Sequence, residues 1–459
     1  MLKLTKLTQA ILGATLTVST SSALAAAFQL SEISTSGLGR AYAGDAAVAD
    51  NASALATNPA LMTQFQRPEF SLGGIYVRPD VNLTGQVDQI KDPRNGQVIP
   101  QKLPKGYKGL PADYTLYNNN ADHSDIAKSA VIPNLYYVHP VNPNVMFGGG
   151  INVNYGLATE FDDQYSAGFF AGKTDLTAVN FNLSTAFRID RHWSLGAGFN
   201  AVYADALIER HLGAIGEAAQ NAAKLQRQIS PLNKGVVAAR LKGKEWGFGY
   251  NLGVTYEFNE NNRLGLAYHS PVDIDFNGDF SSDLPVPVGT NGTVIPGQLT
   301  LNLPAYWELS GWHKLTEKLA LSYSYKYTQW SHFKELYATG ENGSQLFKKP
   351  ENFKNASRFA VGVSYDIDPK LTLRGGLAYD QSPMQEGYYS ISIPDADRTW
   401  IALGATYRFT PNLSLDAGYA HLIAKDNTFV ETDHQTGSKA TFSSKSTADL
   451  FGLALNYRF

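Results

Sequence analysis

The chain has 459 residues, a net charge of −3, 17% charged residues and no cysteine. That balance offers no bulk field for nucleic acid or an acidic partner, and without Cys there is no disulfide scaffold, thiolate zinc site, thiol catalysis or lipid-modified cysteine. The mean hydropathy of −0.23 is that of a soluble protein, but 25 Tyr, 23 Phe and 41 Gly are more than such a protein needs.

Residues 1–25 read as a secretory signal. Lys3 and Lys6 make a positive start, 10–18 is a short apolar stretch, and Ala23-Leu24-Ala25 is an A-x-A cleavage pattern. The mature chain is expected to begin near Ala26. No later run approaches the ~18 apolar residues a membrane-spanning helix requires. The next segment, 26–66, has no period two, and 28–66 holds sixteen Ala, Gly or Ser among 39 residues. Small residues permit close backbone packing and short helical turns. The expectation is a plug inside a barrel; the alternative is a disordered periplasmic tail.

From 67 to 459 period two dominates. Trp246, Phe248, Tyr250, Leu252, Val254, Tyr256 and Phe258 alternate with Gly247, Gly249, Asn251, Gly253, Thr255 and Glu257. The segments 179–188, 193–203, 319–328 and 451–459 alternate likewise. Six short connections, at 140–144, 189–192, 259–262, 315–318, 366–370 and 409–412, alternate with seven long ones, near 79–131, 158–174, 209–244, 278–297, 334–354, 382–396 and 424–446. Together they join fourteen strands. A soluble β-sandwich also alternates its faces, but it has no need of strict long/short alternation of loops. Short periplasmic turns, long outer loops and an aromatic-rich lipid face describe a transmembrane β-barrel. Closure is compulsory in lipid, because an unpaired edge leaves backbone polar groups unsatisfied. The last strand must therefore meet the first, near 68–78.

Two outer loops carry more apolar residues than solvent exposure would suit. In 209–244, Leu212, Ile215, Ala219, Ala222, Leu225 and Ile229 recur at helical steps; in 278–297, Leu284, Val286 and Val288 interleave with Pro and Gly. The pattern serves equally a shared apolar groove at the cell surface or loop-on-loop packing. Extending the inward parity of 193–203 turns Ile208 and Arg210 into the lumen. A cation beside an apolar wall suits a carboxylate with a hydrocarbon tail; an ordinary Arg–carboxylate pair is the alternative. The stretch AGFFAGKT (167–174) misses the phosphate-loop spacing by one residue and precedes a strand, so it reads as a surface loop. No G-x-S-x-G or H-E-x-x-H occurs, and the nine His are scattered, His192 in a turn and His434 in a loop. No enzyme, cofactor or metal site is expected.

The stretch FQLSEISTSGLGRAYAGDAAVADNASALATNPALMTQFQRPEFS (28–71) resembles the plug and first strand of FadL-type long-chain fatty-acid transporters. NYGLATEF (154–161), GFNAVYADALIER (198–210), EWGFGYNLGVTYEFNENNR (245–263), LTLNLPAYWELSG (299–311) and SISIPDADR (390–398) extend the likeness over the mature chain. The resemblance implies a monomeric fourteen-strand barrel of the Gram-negative outer membrane, plugged by an N-terminal hatch and recognised through its terminal strand by the barrel-assembly machinery. Long-chain fatty acids would be captured between the third and fourth outer loops, bound deeper, and released sideways into outer-membrane lipids; monoaromatic hydrocarbons are the alternative cargo. By matching motif, Arg210 and Lys349 would meet the carboxylate, with Lys348 competing for the second role. Phe28 would reach into the pocket. Asn58-Pro59-Ala60 is the most specific hatch motif, and Asp380 would touch the hatch near Asn58. A kink at Val153, Asn154 and Gly156 in the third strand, with Ala130 opposite, would open the wall. Position 153 is Val, where the family carries a small polar residue.

Overall fold

The computed structural model describes residues 27–92, 95–104 and 114–459. The expected signal, 1–25, lies outside them. Fourteen antiparallel strands close one barrel. The first six are Glu69–Lys91, Ala130–Asn142, Val145–Glu160, Lys173–Arg188, Trp193–His211 and Val237–Asn259. The seventh to tenth come in two pieces each: Asn262–His269 with Val272–Ser281, Ile295–Leu303 with Tyr306–Lys314, Leu319–Thr328 with Glu335–Gly340, and Gln345–Pro350 with Ala356–Asp366. Pro271 and Pro304 fall in the first two breaks, where a residue without an N–H interrupts the ladder. The last four are Leu371–Asp380, Arg398–Arg408, Leu413–Ala424 with Asn427–Thr432, and Lys439–Arg458. The ring closes by pairing the first with the last, from Glu69 opposite Arg458 to Gln89 opposite Lys439.

All six short turns fall where the alternation placed them. In the sixth strand Trp246, Phe248, Tyr250 and Leu252 point outward, 45–61% exposed, while Gly247, Asn251, Gly253 and Thr255 are buried. Apolar side chains facing out are stable only against lipid.

The strands reach further outward than the sequence pattern indicated. The first runs to Lys91, the last begins at Lys439, and much of 334–354 is a hairpin of Glu335–Gly340 and Gln345–Pro350. The first strand shows the cause. Its odd residues point inward as far as Val87, where a register shift turns Ile90 inward instead, and they change from Glu69, Ser71 and Gly73 to Ile75, Val77, Val81, Leu83 and Val87. Its outward residues change from Phe70, Leu72 and Tyr76 to Arg78, Asp80, Asn82, Thr84 and Gln86. Past the lipid the outer face meets water and the inner face becomes an apolar core, so the two faces exchange polarity without a change of register.

The segment before the first strand lies inside this ring. It contains helix α1 (Thr35–Leu38), helix α2 (Ala54–Thr57) and a 3-10 helix (Pro59–Gln64). Ser34 caps α1 by accepting from the Gly37 N–H, and Asn58 caps the 3-10 helix by accepting from the Ala60 N–H at 3.0 Å, with Pro59 at its first position. The Asn58 amide also donates to the Ala46 carbonyl (2.7 Å) and, across to the sixth strand, to the Val254 carbonyl (3.2 Å). Gly253 leaves the space that Asn58 fills. Gly39 meets Gly404 so closely that a Cβ on Gly39 would lie 2.8 Å from the Gly404 Cα. Arg40 grips Asp45 (3.2 Å) and Asp50, and Arg374 of the wall reaches Asp50 at 3.3 Å. Burial alone would raise the Asp50 carboxyl, but Arg374 and Arg40 outweigh it and hold the group at about 2. These small-residue contacts and ion pairs fix the segment to the inner wall.

Candidate functional site

The outer half of the lumen holds a cavity of about 240 Å³. Its apolar lining includes Phe169, Phe170, Leu212, Ile215, Phe280 and Phe347, and its charged lining includes Arg210, Lys349 and Glu431. Arg210 comes from the outer end of the fifth strand, on the inward parity with Val202, Ala204 and Ile208. It is 4% exposed. Its Nη1 donates to Thr174 Oγ1 (3.3 Å) and to the Glu209 carbonyl (2.8 Å). Among the described residues no carboxylate lies within ion-pair distance of Arg210, and Glu431, Glu351 and Asp433 act on it only from further off.

Lys349 is placed differently. Its Nζ pairs with Glu431 at 3.3 Å and Glu351 at 3.8 Å, and donates to Ser390 Oγ and, at 2.6 Å, to Ser392 Oγ. Lys348 also borders the cavity but is held at its rim by Glu335 (3.2 Å) and the Tyr337 ring. Of the two lysines, Lys349 is the inward one. Glu431 is itself fixed, accepting from the Ile391 N–H at 2.9 Å. Glu351 lies in the irregular stretch between the outer hairpin and the membrane-spanning strand Ala356–Asp366. It is fully buried with neither carboxylate oxygen hydrogen-bonded. Burial pushes its carboxyl up to about 7, against the pull of Lys349.

The expected groove and the expected pocket are one space. Leu212, Ile215, Leu284 and Val288 line the same cavity as Arg210 and Lys349. Val286 does not: it is 72% exposed and points away. The amphipathic helix, α3 (Ala214–Leu225), stops short of Ile229, which stands in solvent. Two contributors were missed. The stretch read as a surface loop supplies Phe169 and Phe170, and the signal was two adjacent Phe among small residues. Glu431 gave no signal, because it arrives from a strand some eighty residues further on, and Glu351, only two residues after Lys349, gave none that told its buried position.

Below the cavity Phe28 is buried against Trp330 (4.9 Å between ring centroids), Phe333 (5.3 Å) and Tyr155 (6.0 Å). Its backbone joins the third strand: the Gly156 N–H donates to the Phe28 carbonyl (2.9 Å) and the Leu30 N–H to the Asn154 carbonyl (2.8 Å). There the wall is incomplete. Pairing of the second and third strands runs from Asn142 opposite Val145 to Asn134 opposite Asn152 and stops. It resumes only as a bridge between Ala127 and Thr159. Within the interval Ala130, Val131, Ile132 and Pro133 pair with the first strand alone. Against the fourth strand the third bulges at Asn154, between Val153 and Tyr155. Ala130, Val153, Asn154 and Gly156 thus lie along one break in the strand pairing, where residues 28–30 bond to the third strand.

Asn58, Pro59 and Ala60 lie deeper, on the hatch face against the sixth strand and against Gly196 of the fifth. Asp380 does not meet them. It pairs with Arg398 at 3.2 Å and borders a small cavity with Gln29 and Ser31. The expected contact near Asn58 is replaced by one nearer the start of the segment, because the eleventh strand faces residues 29–31.

The family described as outer membrane protein transport protein (OMPP1/FadL/TodX) matches residues 16–459. The 47 kDa outer membrane protein of Pasteurella multocida is 50% identical over 470 residues, covering 100% of both chains. The long-chain fatty acid transport protein of Escherichia coli (strain K12) is 40% identical, with 99% of each chain covered. Among solved structures, a Pseudomonas aeruginosa FadL homologue superposes with a TM-score of 0.79 at 24% identity, over 94% of this chain and 99% of its own. At that identity the likeness shows the fold.

Proposed function

This chain belongs to the OMPP1/FadL/TodX family, outer-membrane transporters of hydrophobic compounds, and on that premise we propose that it takes up long-chain fatty acids passively. The observation that carries the reading is the pairing of Arg210 and Lys349 with an aromatic and aliphatic lining in one cavity. A monoaromatic hydrocarbon has no use for two buried cations. A fatty acid uses both parts: its carboxylate takes the guanidinium and displaces Glu431 from Lys349, while its tail lies on Phe169, Phe170 and Phe347.

Burying a methylene stabilises by ~0.8 kcal/mol, so a chain of about a dozen gains roughly 10 kcal/mol from apolar surroundings. A water-filled pore would forfeit that gain in transit, whereas a series of apolar sites keeps it. The tail extends from the cavity onto the Phe28 cluster. Because Phe28 and Leu30 hold the edge of the third strand, displacing Phe28 loosens the segment that closes the wall gap. The ligand then leaves sideways, past Ala130, Val153 and Gly156, into outer-membrane lipid. Asn58-Pro59-Ala60 anchors the hatch against which residues 28–31 move, and Asp380 steadies their far side. One chain suffices for every step, and no nucleotide site is needed.

The test is uptake by cells lacking their own transporter and expressing wild type, Arg210→Ala with Lys349→Ala, or Gly156→Val. Wild type should import oleate and both variants should be impaired. Equal import by all three would defeat the mechanism; import of toluene without oleate would defeat the cargo.

A further inference from the structure

Beside the cavity, outside the ligand-binding residues, three metal-ligating side chains converge. Asp163 comes from the loop after the third strand, and Glu209 and His211 from the outer end of the fifth. One ligand atom from each lies within 4.8 Å of those of the other two. The His211 Nε2 is 3.3 Å from Glu209 Oε1 and 3.7 Å from Asp163 Oδ1.

Those separations are informative. Ligand atoms ~2.0–2.1 Å from a tetrahedral zinc ion stand about 3.3 Å apart. One edge of the triangle already has that length and a second is within half an ångström of it. The third closes by rotation of Asp163, whose side chain is 77% exposed and free to turn. The other two are held. His211 is 3% exposed, with its backbone N–H on the Gly168 carbonyl. The second oxygen of Glu209 is bound by Arg240 Nε, the kind of outer contact that orients a metal-ligating carboxylate. The neighbouring Asp162 is spent on its own turn, accepting from the Gln164 N–H at 2.7 Å; Asp163 is not. Without a cation, two carboxylates crowd one imidazole nitrogen that satisfies at most one of them while neutral.

We propose that Asp163, Glu209 and His211 form a divalent transition-metal site of the open, three-ligand zinc type at the rim of the lipid cavity. The fourth position faces solvent past Asp163. The ligand set is split between a loop and a strand 46 residues away (209 minus 163), so no local spacing motif announces it. The ion joins the loop that carries Phe169 and Phe170 to the strand that carries Arg210, and Leu212 follows His211 directly. It would act as a staple across one wall of the cavity.

The measurement is zinc titration of the purified full-length protein in detergent after chelator treatment, by calorimetry and by thermal unfolding. Wild type should bind one Zn²⁺ per chain and unfold at a higher temperature with zinc than without. His211→Ala and Asp163→Asn should each weaken binding at least tenfold and remove the thermal shift. Asp163 is exposed, so its variant tests the site even if the buried histidine cannot be replaced without loss of folding. Wild type that binds no zinc, or binds it equally after Asp163→Asn, would overturn the proposal and leave the triad an ion pair only. The outcome is independent of cargo, since oleate uptake does not enter it.

Discussion

Arg210 and Lys349 solve the burial of a cation in two ways. Lys349 keeps its own carboxylate, Glu431, at 3.3 Å. Arg210 makes do with a hydroxyl and a carbonyl. A ligand carboxylate therefore gains a new charged hydrogen bond at Arg210 but only exchanges one at Lys349. Such a bond is worth ~1.5–3 kcal/mol, so Arg210→Ala should weaken a fatty acid by roughly ten- to a hundredfold. Lys349→Ala should cost less, and the matching fatty alcohol should be indifferent to either change; a fluorescent-ligand displacement assay decides. Glu351 adds a pH dependence. Its folded value, about 7, lies above the ordinary 4.5. The stability it contributes is complete below the ordinary value and is lost as pH rises through about 7. Over that interval a new negative charge appears beside Lys349, so decanoate should bind more weakly at pH 8 than at pH 6, and Glu351→Gln should flatten the difference. An unchanged slope in the variant would remove Glu351 from the site. Arg210 was legible in the sequence, because strand parity fixes a direction. Glu431 was not, because what places it beside Lys349 is the closing of the wall; Glu351, two residues from Lys349, was in view, but its burial was not.

At the scale of elements, the second and third strands part where residues 28–30 take their place. Two hydrogen bonds and the bridge between Gln29 and Tyr155 hold that segment to the strand. Antiparallel bridge partners have Cα atoms ~4.5–5.5 Å apart, within the reach of a disulfide, and the chain has no cysteine of its own to interfere. Gln29→Cys with Tyr155→Cys should lock the segment in oxidising conditions. Ligand binding should persist, uptake should fall at least several-fold, and a reductant should restore it. Uptake unaffected by the cross-link would mean that the segment need not move. A bend in the third strand was legible from Gly156, where a Cβ would meet Leu30 at 3.1 Å; the partner that fills the bend was not, because an irregular segment has no periodicity to follow. The strand ends were misread for a related reason. Alternation signals an apolar face toward lipid, and it fades where the first strand's outward residues turn from Leu72 and Tyr76 to Asp80 and Asn82, although pairing with the last strand continues.

For the whole molecule, the question is whether the inner segment is part of the barrel or its cargo of packing. Every strand has two neighbours without it, the one break being between the second and third strands, and the closing pair runs from Glu69 and Arg458 to Gln89 and Lys439. No strand of the ring comes from 27–65. Removing the segment unpairs only two backbone groups of the wall, the Asn154 carbonyl and the Gly156 N–H, at several kcal/mol per group where lipid reaches them, against the continuous pairing of the rest of the ring. The segment's own hold is internal, through Arg374 on Asp50, Asp416 accepting from Asn51, and the Val254 carbonyl accepting from Asn58. Deleting 27–65 should therefore leave a barrel that still inserts and resists unfolding in detergent, but whose lumen is open. In planar bilayers the full chain should pass little current and the deletion a steady ohmic one. Equal conductance would show that the segment does not seal the lumen, and failure of the shortened chain to form a detergent-resistant barrel would show that the ring depends on its filling.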